Sequence, residues 1–281
     1  MQRLVVQLSD THVRLPGELA YRRVDTSAFL ARAVAAVNAL PQPADAVVVT
    51  GDLTDSGRAD EYAQLRELLA PLSCPVYLMP GNHDDGAVLR RAFPDHAELA
   101  QRPCGERVCW AVDVKGLFLV ALDSTVPRAT HGELGDEQLE WLDRTLATRP
   151  QAPTLVAVHH PPFATRIGHM DDVGLLHGAD ALAAVIARHT QVERVIAGHL
   201  HRPIECRFAG TIAMTSPSTA HQVVLDLAPD APAMFRMEPP AFLLHVWAPP
   251  APLVTHLAYV DTYDGPHPFF DGNGKLIDGE P

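Results

Sequence analysis

Lysine is almost missing from this 281-residue chain: Lys115 and Lys275 are the two copies, and the formal net charge is −12 with histidine neutral. Gripping a nucleic-acid backbone takes clustered Lys and Arg, so charge excludes a nucleic-acid polymer as partner. No apolar run reaches the ~18 residues of a membrane-crossing helix, and no membrane partner is expected. The four cysteines, Cys74, Cys104, Cys109 and Cys206, never take the C-x-x-C spacing of a zinc site. Cys104 and Cys109 could bridge a hairpin, but buried free thiols are the expectation in a reducing compartment. No apolar leader precedes the strand-like run Leu4–Leu8, so a cytoplasmic location is expected.

What the chain does have is apolar content, 47%, enough for a sizeable core, and fifteen histidines. Short apolar, β-branched runs alternate with helical patterns, which predicts an α/β architecture. Strands are expected at 3–8, 46–50, 76–79, 155–158 and 194–197, with a further pair at 108–113 and 117–122. Helical spacing covers 25–40, capped by Asp25 or Thr26, then 60–70, then 136–147 with Asp136 as cap, then 179–189. Composition changes after about residue 226, where proline becomes frequent. This divides the chain into a main domain, 1–226, and an extension, 227–281, expected to act as a cap or an oligomer contact. Apolar runs at 241–246 and 254–260 favour a small β-rich extension over a loose tail.

Five of the strand runs end in the same kind of chemistry. Asp10 and His12 follow the first, Gly51-Asp52 the second, Gly81-Asn82-His83-Asp84 the third, His159-His160-Pro161-Pro162 the fourth, and Gly198-His199-Leu200-His201 the fifth. The C-terminal edge of an open α/β sheet is where ligand sites assemble. The glycines are expected to let the backbone turn sharply there. Carboxylate and amide oxygens with imidazole nitrogens suit Mn, Fe, Co or Zn without any sulfur ligand. One such cluster is usually a turn or a hydrogen-bonded histidine; five at matched strand ends point to a metal site.

In this order the motifs Asp-x-His, Gly-Asp, Gly-Asn-His-Asp, His before Pro and Gly-His-x-His resemble those of the calcineurin-like metallophosphoesterases, over residues 4–201. Met170-Asp171 and the stretch Ser218-Thr219-Ala220-His221-Gln222 are most similar to the class III phosphodiesterases, the glycerophosphodiesterase and cyclic-nucleotide phosphodiesterase branch. The resemblance implies a four-layer sandwich, two facing mixed sheets flanked by helices. It implies one metal held by Asp10, His12, Asp52 and His201, and another held by Asp52, Asn82, His159 and His199, with Asp52 bridging. Asn82, His83 and His221 would meet the substrate phosphate, and His83 would be catalytic. The implied reaction is hydrolysis of a small glycerophosphodiester by in-line attack of a metal-bound hydroxide. A 3′,5′-cyclic-nucleotide phosphodiesterase is the alternative, and a silent metal-binding scaffold a more distant one. Two divalent ions per chain (Mn, Fe, Zn or Co) and a homo-oligomer are expected.

Asp84 either orients His83 or caps its loop. His160 is expected to pack behind the ligands without being one. His96, His131, His169, His177, His189, His245, His256 and His267 have no matched context and default to surface or core roles, although His169 and His177 follow His159 closely enough to border a substrate pocket.

Overall fold

Strands that are apolar at nearly every position need cover on both faces, and the computed structural model, which describes residues 2–277, supplies it. In the first sheet, β1 (Arg3–Leu8), β2 (Ala46–Thr50) and β3 (Val76–Met79) run parallel. The second sheet is built from β4 (Trp110–Val114), β5 (Leu117–Leu122), β7 (Thr154–Val158), β9 (Val192–Ala197), β10 (Ile204–Phe208) and β11 (Thr211–Thr215), in the order β10-β11-β9-β7-β5-β4. Two short pairs stand apart: β6 (Gly132–Glu133) with β8 (Leu175–His177), and β12 (Gln222–Val223) with β13 (Phe235–Arg236). From the segment set apart at 227–281, β14 (Ala241–Trp247) pairs antiparallel with β1, and β15 (Val254–Tyr259) with β14. The first sheet therefore reads β15-β14-β1-β2-β3.

Alternation along the second sheet shows how the layers stack. Leu117, Leu119 and Ala121 of β5 join one core with the first sheet, α1 (Thr26–Asn38) and α2 (Ala59–Leu69). Phe118, Val120 and Leu122, one residue out of phase, join the other core with α4 (Asp136–Ala147) and α6 (Ala179–Ile186). Two mixed sheets thus face each other with helices outside. Full burial of each Val, Leu or Phe contributes about 1.5–3 kcal/mol, so the apolar runs place the sheets before any polar contact does. Two shorter helices, α3 (Gly86–Ala92) and α5 (Gly168–Asp171), lie in the loops after β3 and β7. Among the described residues no helix is long and apolar enough to cross a membrane.

Local rules decide the helix ends. Asp25 caps α1 by accepting from the Ala28 N–H at 3.0 Å. The expected cap at Asp136 is corrected: Gly135 is the capping residue, and Asp136 sits in the first turn, where its charge faces the positive end of the helix. All four cysteines are free.

Behind the site the sheets are joined by polar contacts. Gln7, fully buried, donates to Thr50 Oγ1 and to the Ala197 carbonyl, both at 2.9 Å. His245 on β14 donates from Nε2 to Gln7 Oε1 at 3.0 Å, while its Nδ1 accepts from Thr255 Oγ1 at 3.0 Å. Burial, with Arg194 adding its charge, pushes His245 down to about 3. An unfolded chain protonates that ring near its ordinary value of about 6.5, so between the two values the unfolded state binds more protons. The contribution is complete above about 6.5 and is lost as pH falls toward 3, roughly 2 kcal/mol by pH 5. His245→Gln keeps a donor for Gln7 and an acceptor for Thr255. It is expected to flatten the drop in urea midpoint between pH 7 and pH 5; an unchanged slope would clear His245 of that role.

Candidate metal centre

The parallel ladder between β1 and β2 does not stop at the strand ends. Asp10 N–H donates to Gly51 O at 3.1 Å, His12 N–H to Asp52 O at 2.9 Å, and Val13 N–H to Leu53 O at 3.1 Å. The two loops are therefore zipped together while their side chains turn toward β7 and β9. Asp10, His12, Asp52, His199 and His201 take left-handed backbone, with φ of 53°, 41°, 48°, 68° and 51°. Asp and His tolerate that region better than most residues, and each such position still costs about 1–3 kcal/mol. At these five positions the strain lies just past strand ends, where it aims donor atoms.

The glycines act differently from expectation. Only Gly51 of the three has positive φ, +93°. At Gly81 a Cβ would run into the backbone nitrogen and carboxylate of Asp52, and at Gly198 into Ser9 Oγ and the Thr50 carbonyl. Close approach excludes a side chain at 81 and 198; turning alone does not.

Asp10, His12, Asp52 and His201 are buried and bring one donor atom each to within 4.8 Å of one another. His12 Nε2 and His201 Nε2 are 3.1 Å apart, His201 Nε2 lies 3.5 Å from Asp10 Oδ1, and His12 Nε2 lies 3.6 Å from Asp52 Oδ2. Donors sharing one ion at about 2.0–2.2 Å stand roughly 3.0–3.5 Å apart. The other oxygen of Asp52 faces the remaining residues. Asp52 Oδ1 is 3.4 Å from His159 Nε2, which is 3.2 Å from Asn82 Oδ1, which is 3.0 Å from His199 Nδ1. The seven residues expected as ligands lie together at the strand ends; Asp10, His12, Asp52 and His201 form one cluster, and His159 and His199 form another with His160, beside Asn82.

The chemistry of the donors fits divalent cations. His201 Nδ1 donates to the His221 carbonyl at 3.0 Å and His159 Nδ1 to the Thr50 carbonyl at 2.8 Å, which leaves each Nε2 a lone pair in the neutral ring. Around His159 those lone pairs meet acceptor oxygens, and only a proton or a cation relieves the repulsion. Asp10 Oδ2 and His199 Nε2 are buried without partners. In the metal-free protein burial works against a charged His159, but Asp52 and Asp10 outweigh it and raise the ring to about 9. A proton then stands where a cation would, and a cation must displace it. His199 is pushed down to about 3 and His201 also down, burial leading in both. Burial pushes the Asp52 carboxyl up, but His159, His83 and His12 together hold it well below the usual range.

Around this centre the loops divide the remaining tasks. His83 donates from Nδ1 to the Asp55 carbonyl at 2.8 Å, and its backbone N–H donates to Asp52 Oδ1 at 2.9 Å. Its ring stacks edge-on against His12, with centroids 4.7 Å apart. Asp84 does not touch the His83 ring. It accepts from the backbone N–H groups of Leu53, Thr54 and Gly81 and from the Tyr62 hydroxyl, and so ties the β2 and β3 loops together. His160 has both nitrogens engaged, by Ser124 Oγ at 2.8 Å and the Thr130 carbonyl at 3.1 Å. It packs behind His199 with neither nitrogen free.

A cavity of about 510 Å³ opens over the donor groups. His221 lines it, with its ring 4.7 Å from that of His201, and burial pushes it down to about 2. His169, which follows His159 closely enough in sequence to border a pocket, also lines the cavity, as do Thr130, Met170, Val173 and the trio Ala233, Met234 and Phe235. Tyr21 lines it from an irregular loop. None of these has a strand-end signature, and only Met170 stood near a motif. Asp55, whose carboxylate lies 3.5 Å from His12 Nδ1, had no signal beyond following Asp52.

The "Calcineurin-like phosphoesterase" family profile matches residues 4–203. The chain is 36% identical over 275 residues to a "Probable glycerophosphodiester phosphodiesterase GpdQ" of Arcobacter nitrofigilis, covering 98% of this chain and 100% of that one. It is 34% identical over 229 residues to a cAMP/cGMP dual specificity phosphodiesterase of Mycobacterium tuberculosis, covering 80% of this chain and 70% of that one. A dimetal phosphatase from Danio rerio shares the fold, with a TM-score of 0.63 at 16% identity over 90% of this chain and 98% of that one. Sandwich, strand-end motifs and relatives agree, and the chain belongs to the calcineurin-like phosphoesterase family.

Proposed function

We propose that this chain is a metal-dependent phosphodiesterase that hydrolyses small diesters of the glycerophosphodiester kind. One observation carries the reading: the two carboxylate oxygens of Asp52 face two different donor groups. One ion is assigned to Asp10, His12, Asp52 and His201, and a second to Asp52, Asn82, His159 and His199. Mn, Fe, Zn and Co all suit this nitrogen and oxygen set. Bound there, two divalent ions would supply positive charge for the phosphoryl oxygens and a water acidic enough to react near neutral pH.

The chain's own residues bind, orient and move protons. His83 is directed at the phosphoryl group, with Nδ1 held by Asp55 and Nε2 left for a phosphoryl or leaving oxygen. Asn82 turns its oxygen toward His159 and His199, which leaves its amide nitrogen to donate to the phosphate. His221, kept neutral by burial, is assigned to the same phosphate.

A 3′,5′-cyclic nucleotide is the second reading, favoured by the apolar wall and by the relative named for that activity. The test is chelator treatment, Mn²⁺ addition, and turnover of bis(p-nitrophenyl) phosphate, then of glycerophosphoethanolamine against cyclic AMP. Turnover that returns with metal is expected on the model diester, and the comparison ranks the two readings. No metal-dependent release from any substrate would leave a silent metal-binding scaffold in its place.

A further inference from the structure

Away from the donor groups the cavity has an unusual lining. Its wall is Tyr21, Met170, Val173, Val223, Met234 and Phe235, and among the described lining residues Asp52 is the only charged side chain apart from the histidines. Tyr21 and Met234 are 54% and 52% exposed, large apolar surfaces left at the rim of a polar site. Contiguous exposed apolar surface of that kind commonly marks a ligand groove.

The wall is fixed relative to the metal ligands. Arg202, the residue after His201, donates to the Val223 carbonyl at 2.7 Å and pairs with Glu238 at 2.6 Å, so it holds both ends of the β12–β13 hairpin. Phe235 packs on Ala20, Val24 and Ala220. Its ring is 5.1 Å from that of Tyr21 and 5.2 Å from that of His221, which in turn lies 4.7 Å from His201. One imidazole therefore separates the aromatic wall from a metal ligand.

We propose that this wall is the subsite for the ester arm that stays on phosphorus, and that it selects an uncharged arm with a flat or apolar face, an aryl group or a nucleobase. The inference rests on the phosphodiesterase reading above and, within it, sides with the second substrate class, because a glycerophosphodiester offers only a short polar arm and a polar or cationic one. His83 reaches the cavity from the loop after β3; with His83 assigned to the departing oxygen, we assign the hairpin, a separate element, to the retained arm. A short polar arm would leave Tyr21 and Met234 in water. A cationic arm finds no carboxylate on the wall and stands beside two dications that Asp10 and Asp52 neutralise only in part. Aromatic contact adds about 0.5–1.5 kcal/mol beyond the apolar area covered.

The test holds the leaving group constant and reads the arm's effect in KM. Three p-nitrophenyl phosphodiesters, with phenyl, methyl and choline as the second arm, all lose p-nitrophenolate. Water oxygen bonds to phosphorus as the bond to the nitrophenyl oxygen breaks, and the water protons pass to solvent. With the full chain reloaded with Mn²⁺, kcat/KM is expected to be about tenfold higher for phenyl than for methyl, mostly through KM, with choline no better than methyl. Tyr21→Leu and Met234→Ser change rim residues and are expected to shrink the phenyl-to-methyl ratio at least threefold, with metal content unchanged. Equal phenyl and methyl values, a preference for choline, or variants that leave the ratio intact would each overturn the subsite. Failure of all three substrates with metal-loaded wild type would overturn the phosphodiesterase reading instead.

Discussion

Asp52→Ala is expected to empty both metal positions and to lower diester turnover by about three orders of magnitude or more. The expectation follows from one side chain serving two groups. Asp52 Oδ2 lies 3.6 Å from His12 Nε2, and Oδ1 lies 3.4 Å from His159 Nε2. Removing it takes a donor from each group and half of the carboxylate charge at the centre. It also leaves the His83 backbone N–H without its acceptor at 2.9 Å. Metal content per chain, measured by mass spectrometry after reloading, should fall from near two toward zero. Asp52→Asn keeps two possible donor atoms without the charge and is expected to fall between wild type and alanine. The metal-free alanine variant should stay folded, because Asp52 lies outside the apolar clusters that hold the sheets. A folded Asp52→Ala protein that still binds two ions would refute the bridging assignment.

Those candidate ligands could be found by sequence because each lies just past a strand whose apolar run is unmistakable. Val47, Val48 and Val49 announce β2, and Asp52 is the second residue after it. The left-handed backbone of Asp10, His12, Asp52, His199 and His201 has no such signature, since Asp and His occupy many conformations. The role of Gly198 was equally hidden. Its constraint is the distance to Ser9, just past β1, and Thr50, the last residue of β2, some 150 to 190 residues earlier in the chain.

The cavity wall was illegible for a related reason. Tyr21 sits in an irregular loop, and Met234 and Phe235 follow a proline-rich stretch, so neither carries a period that marks a face. They meet where Arg202 ties the hairpin beside His201 and Phe235 packs on Ala20, Val24 and Ala220. The place of β14 depends on the same kind of distant contact. The run 241–246 reads as a strand, but its partner β1 lies at the other end of the chain, and the pairing of His245 with Gln7 spans 238 positions. Local pattern gives an element; register with a distant strand is set by packing.

His83→Ala should leave metal content near two per chain and slow hydrolysis of alkyl diesters by about 10²–10⁴-fold. Its Nδ1 proton is committed to the Asp55 carbonyl at 2.8 Å, so in the neutral ring Nε2 carries a lone pair and has no proton to give. Only the imidazolium can donate from Nε2 to a departing alkoxide. A nitrophenolate leaves without help from a proton. His83→Ala should then harm bis(p-nitrophenyl) phosphate much less than glycerophosphoethanolamine, and the gap between the two losses measures proton donation apart from charge stabilisation of the phosphoryl oxygens. Equal losses on both substrates would assign His83 to phosphate positioning alone. A competing role is built into the geometry, because His12, Asp55 and His83 also bring donor atoms within 4.8 Å of one another. If His83→Ala loses an ion, His83 is a ligand in that third group, and the proton must come from elsewhere in the cavity.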